Sequence, residues 1–361
     1  MRQPLMDRRD DGLNMEKETK GQDVEKEPVL KVHNLKSYYV SVDGAIPAVD
    51  GVDLTLYPGE IVGIVGESGC GKSTVVRALM GLMDPVTSHR EAGTALFEGR
   101  DLFSLKEKEL CRIRGKGISM IFQNPLSALD PVYTIGNQIT EILKIHESIT
   151  EKQAREKAVE LLRQVNIPSP ELRLNQYPHE LSGGMQQRVV IAIALACNPK
   201  ILIADEPTTA LDVTVQAQIL ALIKELRDRL NIAVILITHN MGVVAAVCDR
   251  MMVMYGGVVV EEGSCQEIFS APRHPYTKGL LEAIPSIGED KEILYTIPGQ
   301  VDRLRSPVTF CRFQKRCGQA CEKCGQKEPE LKGADGHLCR CILADDKRTE
   351  KDIQKAKVVT P

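Results

Sequence analysis

The chain has 361 residues, more than one compact core holds and enough for two or three units. Its formal net charge of -3, with acidic and basic residues interspersed, leaves no basic stripe for nucleic acid. No run of about eighteen apolar residues occurs, so the chain is not expected to span a membrane, and its eleven cysteines without a secretory leader point to a reducing compartment, where clustered thiols more often hold metal than form disulfides.

Met1 to Glu27 is dense in Asp, Glu, Lys and Arg and is expected to be a disordered, solvated tail. From Pro28 to Val62 apolar and polar residues alternate, with turn signals at Val42-Asp-Gly44 and Tyr57-Pro-Gly59, which predicts short antiparallel strands. Glu60 to Val65 then reads as a buried strand and Thr74 to Met80 as a helix. Between them stands Gly66-Glu-Ser-Gly-Cys-Gly-Lys-Ser73, which fits G-x-x-x-x-G-K-[ST]. Such a loop wraps phosphates with backbone N–H groups; its Lys, here Lys72, pairs with the outer phosphates and its Ser, here Ser73, binds Mg²⁺. The site is therefore expected to include Gly66, Glu67, Ser68, Gly69, Cys70, Gly71, Lys72, Ser73 and Thr74.

From Asn124 to Glu180 the apolar period becomes helical. Thr150-Glu-Lys-Gln153 forms a capping box, after which Ala154, Ala158, Leu161 and Val165 share one face. Unbroken apolar runs return at Lys200 to Asp205 and Ala233 to Thr238, as expected of a parallel sheet covered on both faces. Asp205 and Glu206 end the first of these runs, so their carboxylates are placed at the ligand-binding edge of the sheet. Asp205 is assigned to Mg²⁺ and Glu206 to the attacking water; His239, ending the next run, can place a hydrogen bond on the γ-phosphate.

These motifs, with Phe122-Gln-Asn-Pro125, Leu181-Ser-Gly-Gly-Met-Gln186, Ile203-Ala-Asp-Glu-Pro-Thr208, Ala210-Leu-Asp212 and Thr238-His239, resemble in order and spacing the ATP-binding subunits of ABC transporters over about Val29 to Ser270. The resemblance implies an ABC-type α/β nucleotide-binding domain with a mainly parallel sheet core, an antiparallel β layer and a helical subdomain at about 124–182. It also implies a head-to-tail dimer with a second ABC ATPase subunit, a homologue or a second copy. There Ser182, Gly183 and Gly184, with Gln186 beside them, open a helix towards the partner's γ-phosphate. Gln123 is implied to bind Mg²⁺ and connect the site to the helical insert, which touches the membrane subunit, and Tyr39, next to Tyr38, to stack on adenine.

Arg273-His-Pro-Tyr and the residues after it, to Pro285, resemble the extension of the oligopeptide, dipeptide and nickel branch of these ATPases, and 271–361 is read as a small separate extension. The branch implies an importer with two transmembrane permease subunits and an extracytoplasmic peptide-binding protein, the chain sitting peripherally on the cytoplasmic face. Cys311, Cys317, Cys324 and Cys341 fit the family spacing C-x₅-C-x₆-C with a later Cys, which implies a [4Fe–4S] cluster; Phe310 replaces the family's usual Gly. Cys321 and Cys339 are alternates, and the Cys321/Cys324 pair suits zinc equally. Cys70, Cys111, Cys197, Cys248 and Cys265 read as buried small hydrophobes, Cys70 being exposed enough for alkylation. Because the cysteine segment lies outside the ATP motifs, it is expected to leave ATP binding alone. The leading reading is ATP-driven peptide import; the alternatives are nickel import and a soluble ABC-type ATPase with a regulatory metal cluster.

Overall fold

The computed structural model describes residues 27–42, 44–209, 211–284, 296–302, 304–334 and 336–345. The expected polar tail apart from Glu27, Asp43 in the first turn, Ala210 in the Ala-Leu-Asp motif, and Pro285 lie outside the described residues.

Among the described residues twelve strands follow in chain order: β1 (Leu30–Ser41), β2 (Gly44–Leu56), β3 (Ile61–Val65), β4 (Ser88–Phe97), β5 (Arg100–Asp101), β6 (Ile118–Ile121), β7 (Ile201–Asp205), β8 (Ala233–Thr238), β9 (Arg250–Tyr255), β10 (Val258–Ser264), β11 (Lys332–Ala334) and β12 (His337–Cys339). The antiparallel layer is a four-stranded sheet in the order β2-β1-β4-β5. Its first two strands are long, 12 and 13 residues, where the sequence suggested short ones. Register shifts near Leu35 and between Ser37 and Tyr38 let a single hairpin absorb the irregular alternation that reads as strand breaks.

The second sheet runs β11-β12-β10-β9-β3-β8-β7-β6 and is mixed. Its centre is parallel, β3 lying between β9 and β8 with β7 and β6 beyond. All residues of β3, β7 and β8 are buried, as their unbroken apolar runs predict. At the other edge β10 pairs antiparallel with both β9 and β12, and β12 with β11. The sequence sets the C-terminal segment apart as a small unit; in the structure its β11 and β12 extend the eight-stranded sheet. Too few apolar residues for an independent core leave an existing sheet edge as the place to satisfy its backbone.

Between β6 and β7 the chain is helical, with helices at Ile135–His146, Glu151–Gln164 and Gly183–Leu195. The Thr150–Gln153 capping box forms, the Gln153 carboxamide oxygen accepting from Thr150 N–H at 2.9 Å. Ala154, Ala158, Leu161 and Val165 are all buried, packing in one core with Ile139 and Leu143. Burying a Leu or Ile side chain of this kind contributes about 1.5–3 kcal/mol, which holds the helical insert on the sheet. No described helix is long and apolar enough to cross a membrane.

Candidate functional site

The phosphate loop leaves β3 and enters the helix Lys72–Leu79. Gly66 and Gly71 take φ of 151° and 108°, and a Cβ would come within 2.3 Å of the Met254 carbonyl oxygen and 2.1 Å of the Ala48 carbonyl oxygen, so both positions exclude any side chain. Lys72 is buried, its ammonium donating to the carbonyls of Gly66 at 2.8 Å and Glu67 at 2.9 Å. It is held at the loop with partners that a phosphate can replace. Ser73 Oγ donates to Asp205 Oδ1 at 2.8 Å, and Tyr39 OH lies 3.4 Å from Thr74 Oγ1, which puts the half-buried Tyr39 ring beside the helix start. Tyr38 turns the other way, buried, with its OH donating to Asp50 Oδ1.

Asp205 ends β7 buried, and loss of water pushes its carboxyl above the ordinary value despite the Ser73 bond. A divalent cation would relieve that cost, so the Ser73–Asp205 pair suits Mg²⁺. Glu206 follows in a left-handed backbone, φ 48°, its N–H donating to the Ile237 carbonyl at 2.9 Å. This turn carries its carboxylate into a ring of donors: Gln123 Nε2 at 2.8 Å, Thr209 Oγ1 at 3.0 Å and His239 Nδ1 at 3.2 Å. Burial alone would raise its pKa, but the His239 and Thr209 bonds outweigh it and hold the carboxyl below the usual glutamate value. Glu206 is thus ionised at neutral pH, as a base must be. Strain at a non-glycine left-handed residue costs on the order of 1–3 kcal/mol and is typical of such sites.

The signature run is built differently. Ser182 caps the 13-residue helix Gly183–Leu195, its Oγ accepting from Met185 N–H at 3.4 Å, and both Ser182 and Gly183 are exposed. A Cβ on Gly184 would meet Val215 Cγ1 at 2.8 Å, so glycine there lets this helix pack against the helix Val213–Leu230.

The structure brings Lys72, Ser73, Gln123, Asp205, Glu206 and His239 to one sheet edge. Three assignments change. Gln186 is buried, its amide donating to the carbonyls of Pro178 and Leu181, so it fixes the approach to the signature and does not present itself to nucleotide. The Glu67 N–H is already bonded to Tyr276 OH at 2.9 Å and so is not free for a phosphate. Cys70 is buried, its thiol pushed up by loss of water, and so is shielded from alkylation. Of the other scattered cysteines Cys111 is exposed, on a helix with no buried residue, while Cys197, Cys248 and Cys265 are buried as expected. Thr209 is the site residue that sequence reasoning missed; its signal was its place three residues after Glu206.

A family model described as ABC transporter matches residues 49–209, and one described as oligopeptide/dipeptide transporter, C-terminal region, matches residues 260–324. The oligopeptide transport ATP-binding protein AppD of Bacillus subtilis (strain 168) is 48% identical over 324 residues, which is 90% of this chain and 99% of AppD. The chain belongs to the ATP-binding proteins of ABC transporters, in their oligopeptide/dipeptide branch. Two more members of the branch are similar: the dipeptide transport ATP-binding protein DppD of the same organism, at 48% identity over 89% of this chain and 96% of its own length, and the oligopeptide transport ATP-binding protein OppD of Salmonella typhimurium (strain LT2), at 46% over 87% and 93%. Among solved structures, the dimeric ATP-binding cassette MJ0796 in a post-hydrolysis state with ADP and Pi is 31% identical with a TM-score of 0.59, covering 65% of this chain and 98% of its own. The fold is that of an ABC ATPase, and the chain is an ATPase of that family.

The cysteine segment of this ABC protein holds no group of three or more His, Cys, Asp or Glu side chains gathered for a metal ion among the described residues. Cys321 and Cys324 sulfurs lie 3.6 Å apart, and Cys311 N–H donates to the Cys324 carbonyl at 2.8 Å. Burial raises Cys317 to about 12 and Cys311 to about 11, and in both the other thiols of the set add to the effect. Cys339 is buried on β12.

Proposed function

We propose that this chain is the ATP-hydrolysing subunit that powers import of di- and oligopeptides, acting at the cytoplasmic face of a membrane through two permease subunits fed by an extracytoplasmic peptide-binding protein. The observation that carries the reading is the complete hydrolytic ring around Glu206 in a chain that matches peptide-transport ATP-binding proteins over nearly its whole length. Lys72 and the loop N–H groups bind and orient the phosphates. Ser73, Gln123 and Asp205 would hold Mg²⁺, which when bound offsets phosphate charge. Glu206 takes the proton of the attacking water, and His239 keeps its carboxylate aimed and can reach the γ-phosphate. Two cassettes would meet head to tail, the Ser182–Gly184 helix start of each closing the other's nucleotide site.

The extension past residue 271 carries Cys311, Cys317, Cys324 and Cys341 as the proposed ligands of a [4Fe–4S] cluster, with zinc and the alternates Cys321 and Cys339 as the competing arrangement. Support comes from donor chemistry: burial raises the proton affinity of all four half-buried or buried thiols, with neighbouring thiols adding to it, so they ionise readily only against a cation. Co-purification with two permease subunits, followed by ATP-dependent uptake of labelled peptides into proteoliposomes, tests the function. Uptake of nickel but not of peptides would sink the peptide assignment.

A further inference from the structure

The back of the phosphate loop is held by the C-terminal segment. Arg316 meets Glu67 with both ends of its fork, Nη1 to Oε2 at 2.6 Å and Nη2 to Oε1 at 3.0 Å. The arginine side chain is 6% exposed, and its remaining reach is used up: Nε donates to the Pro298 carbonyl at 2.8 Å and Nη2 to the Ile297 carbonyl at 3.2 Å, with the guanidinium 5.7 Å from the Tyr255 ring centre. Tyr276 OH takes the Glu67 N–H on the same side. The segment that carries Arg316 is pinned in turn. Arg312 bonds Asp50 on β2 at 2.5 Å, the Gly256 carbonyl at 2.6 Å and Glu328 at 2.6 Å, and Phe313 sits edge-on to Tyr255 at 5.1 Å.

Glu67 is the one acidic residue of the loop and its carbonyl is also an anchor of Lys72. Unpaired, its carboxylate would repel the phosphates that the loop must hold, and its backbone would be free to drag the Lys72 anchor. A bidentate arginine cancels the charge and fixes the residue at once. We infer that Arg316 is a positioning residue of the ATP site, acting through Glu67, so that the C-terminal segment sets nucleotide affinity. The inference rests on the reading of Gly66–Ser73 as the ATP loop. It also reverses the expectation that the cysteine-rich segment leaves ATP binding alone. Since the pair acts on the loop before and during reaction alike, it belongs in affinity and not in turnover.

The test measures ATP affinity and saturated turnover of the purified full chain in four variants. Arg316→Gln should weaken ATP binding by about tenfold while turnover at saturating ATP stays within about threefold of the parent. Adding Glu67→Gln to Arg316→Gln removes the orphaned carboxylate and should return affinity to within about threefold, a rescue that a merely structural brace would not give. Glu67→Gln alone leaves a net cation behind the loop and should bind ATP several-fold tighter than the double variant and than the parent; the comparison with the parent decides the matter even if Arg316→Gln fails to fold. Parental affinity in Arg316→Gln, no rescue in the double variant, or equal affinities in the last pair would each overturn the inference. Lys72→Ala serves as the control: if it too bound ATP normally, the reading of the loop would fail and not the role of Arg316.

Discussion

In the phosphate loop Gly66, Cys70, Gly71 and Lys72 are buried; Lys72 is bonded to the loop's own carbonyls, while Ser73 and Glu67 already have partners from distant stretches of chain at Asp205, Tyr276 and Arg316. In the signature run Ser182 and Gly183 stand exposed on a helix start that is capped by the Ser182 side chain. One glycine-rich motif is completed by its own chain; the other is held rigid and offered outward. Burial and pairing preorganise the first for a ligand it holds alone, whereas free N–H groups at an exposed helix end retain their dipole for an anion brought by something else. The contrast matches the separate duties proposed for two motifs that look alike in composition.

The largest expected effect comes from Glu206→Gln, which keeps the shape of the donor ring but not the charge. Turnover should fall by about 10²–10⁴-fold while ATP still binds, and ATP-loaded dimers should accumulate in size-exclusion chromatography. Near-parental hydrolysis would remove Glu206 from its role. Ser182→Arg and Lys72→Ala then separate the two motifs directly. The first puts bulk and positive charge at an exposed helix start and should cost about 10²–10³-fold in turnover with binding to the chain's own loop intact. The second should lose affinity by about tenfold or more along with rate. If both variants lost binding equally, the contrast between a self-contained and an offered motif would be broken.

Smaller effects sharpen the picture. Cys317→Ser should abolish iron in anaerobically prepared protein, which in the parent should be brown with about four irons per chain; stoichiometric zinc with no iron would replace the cluster assignment. Acidification tests the two adjacent carboxylates. Asp205 has a raised folded pKa, so it protonates first as pH falls, and the strain of its burial is relieved as it does so; Glu206 has a lowered one, and its stabilising bonds persist until pH drops below the ordinary glutamate range. The first loss of rate as the pH falls should therefore be reversed by excess Mg²⁺. A loss indifferent to Mg²⁺ would contradict that order of titration.

Local chemistry was legible in the sequence by itself. The loop glycines, Lys72, the apolar strands β3, β7 and β8, the Thr150 capping box and the carboxylates at the end of β7 each depend on spacing within a few residues, so the order of residues is sufficient to place them. The long irregular hairpin of β1 and β2 was read as broken because bulges disturb alternation without ending a strand. Only the tertiary structure decided what meets between separate elements: the Gln123 and His239 bonds to Glu206, the inward turn of Gln186, the joining of β11 and β12 to the eight-stranded sheet, and the grip of Arg316 on Glu67 at a separation of 249 residues. Such pairings follow from which buried polar groups lack a local partner once the core has closed, a condition that no short window of sequence contains.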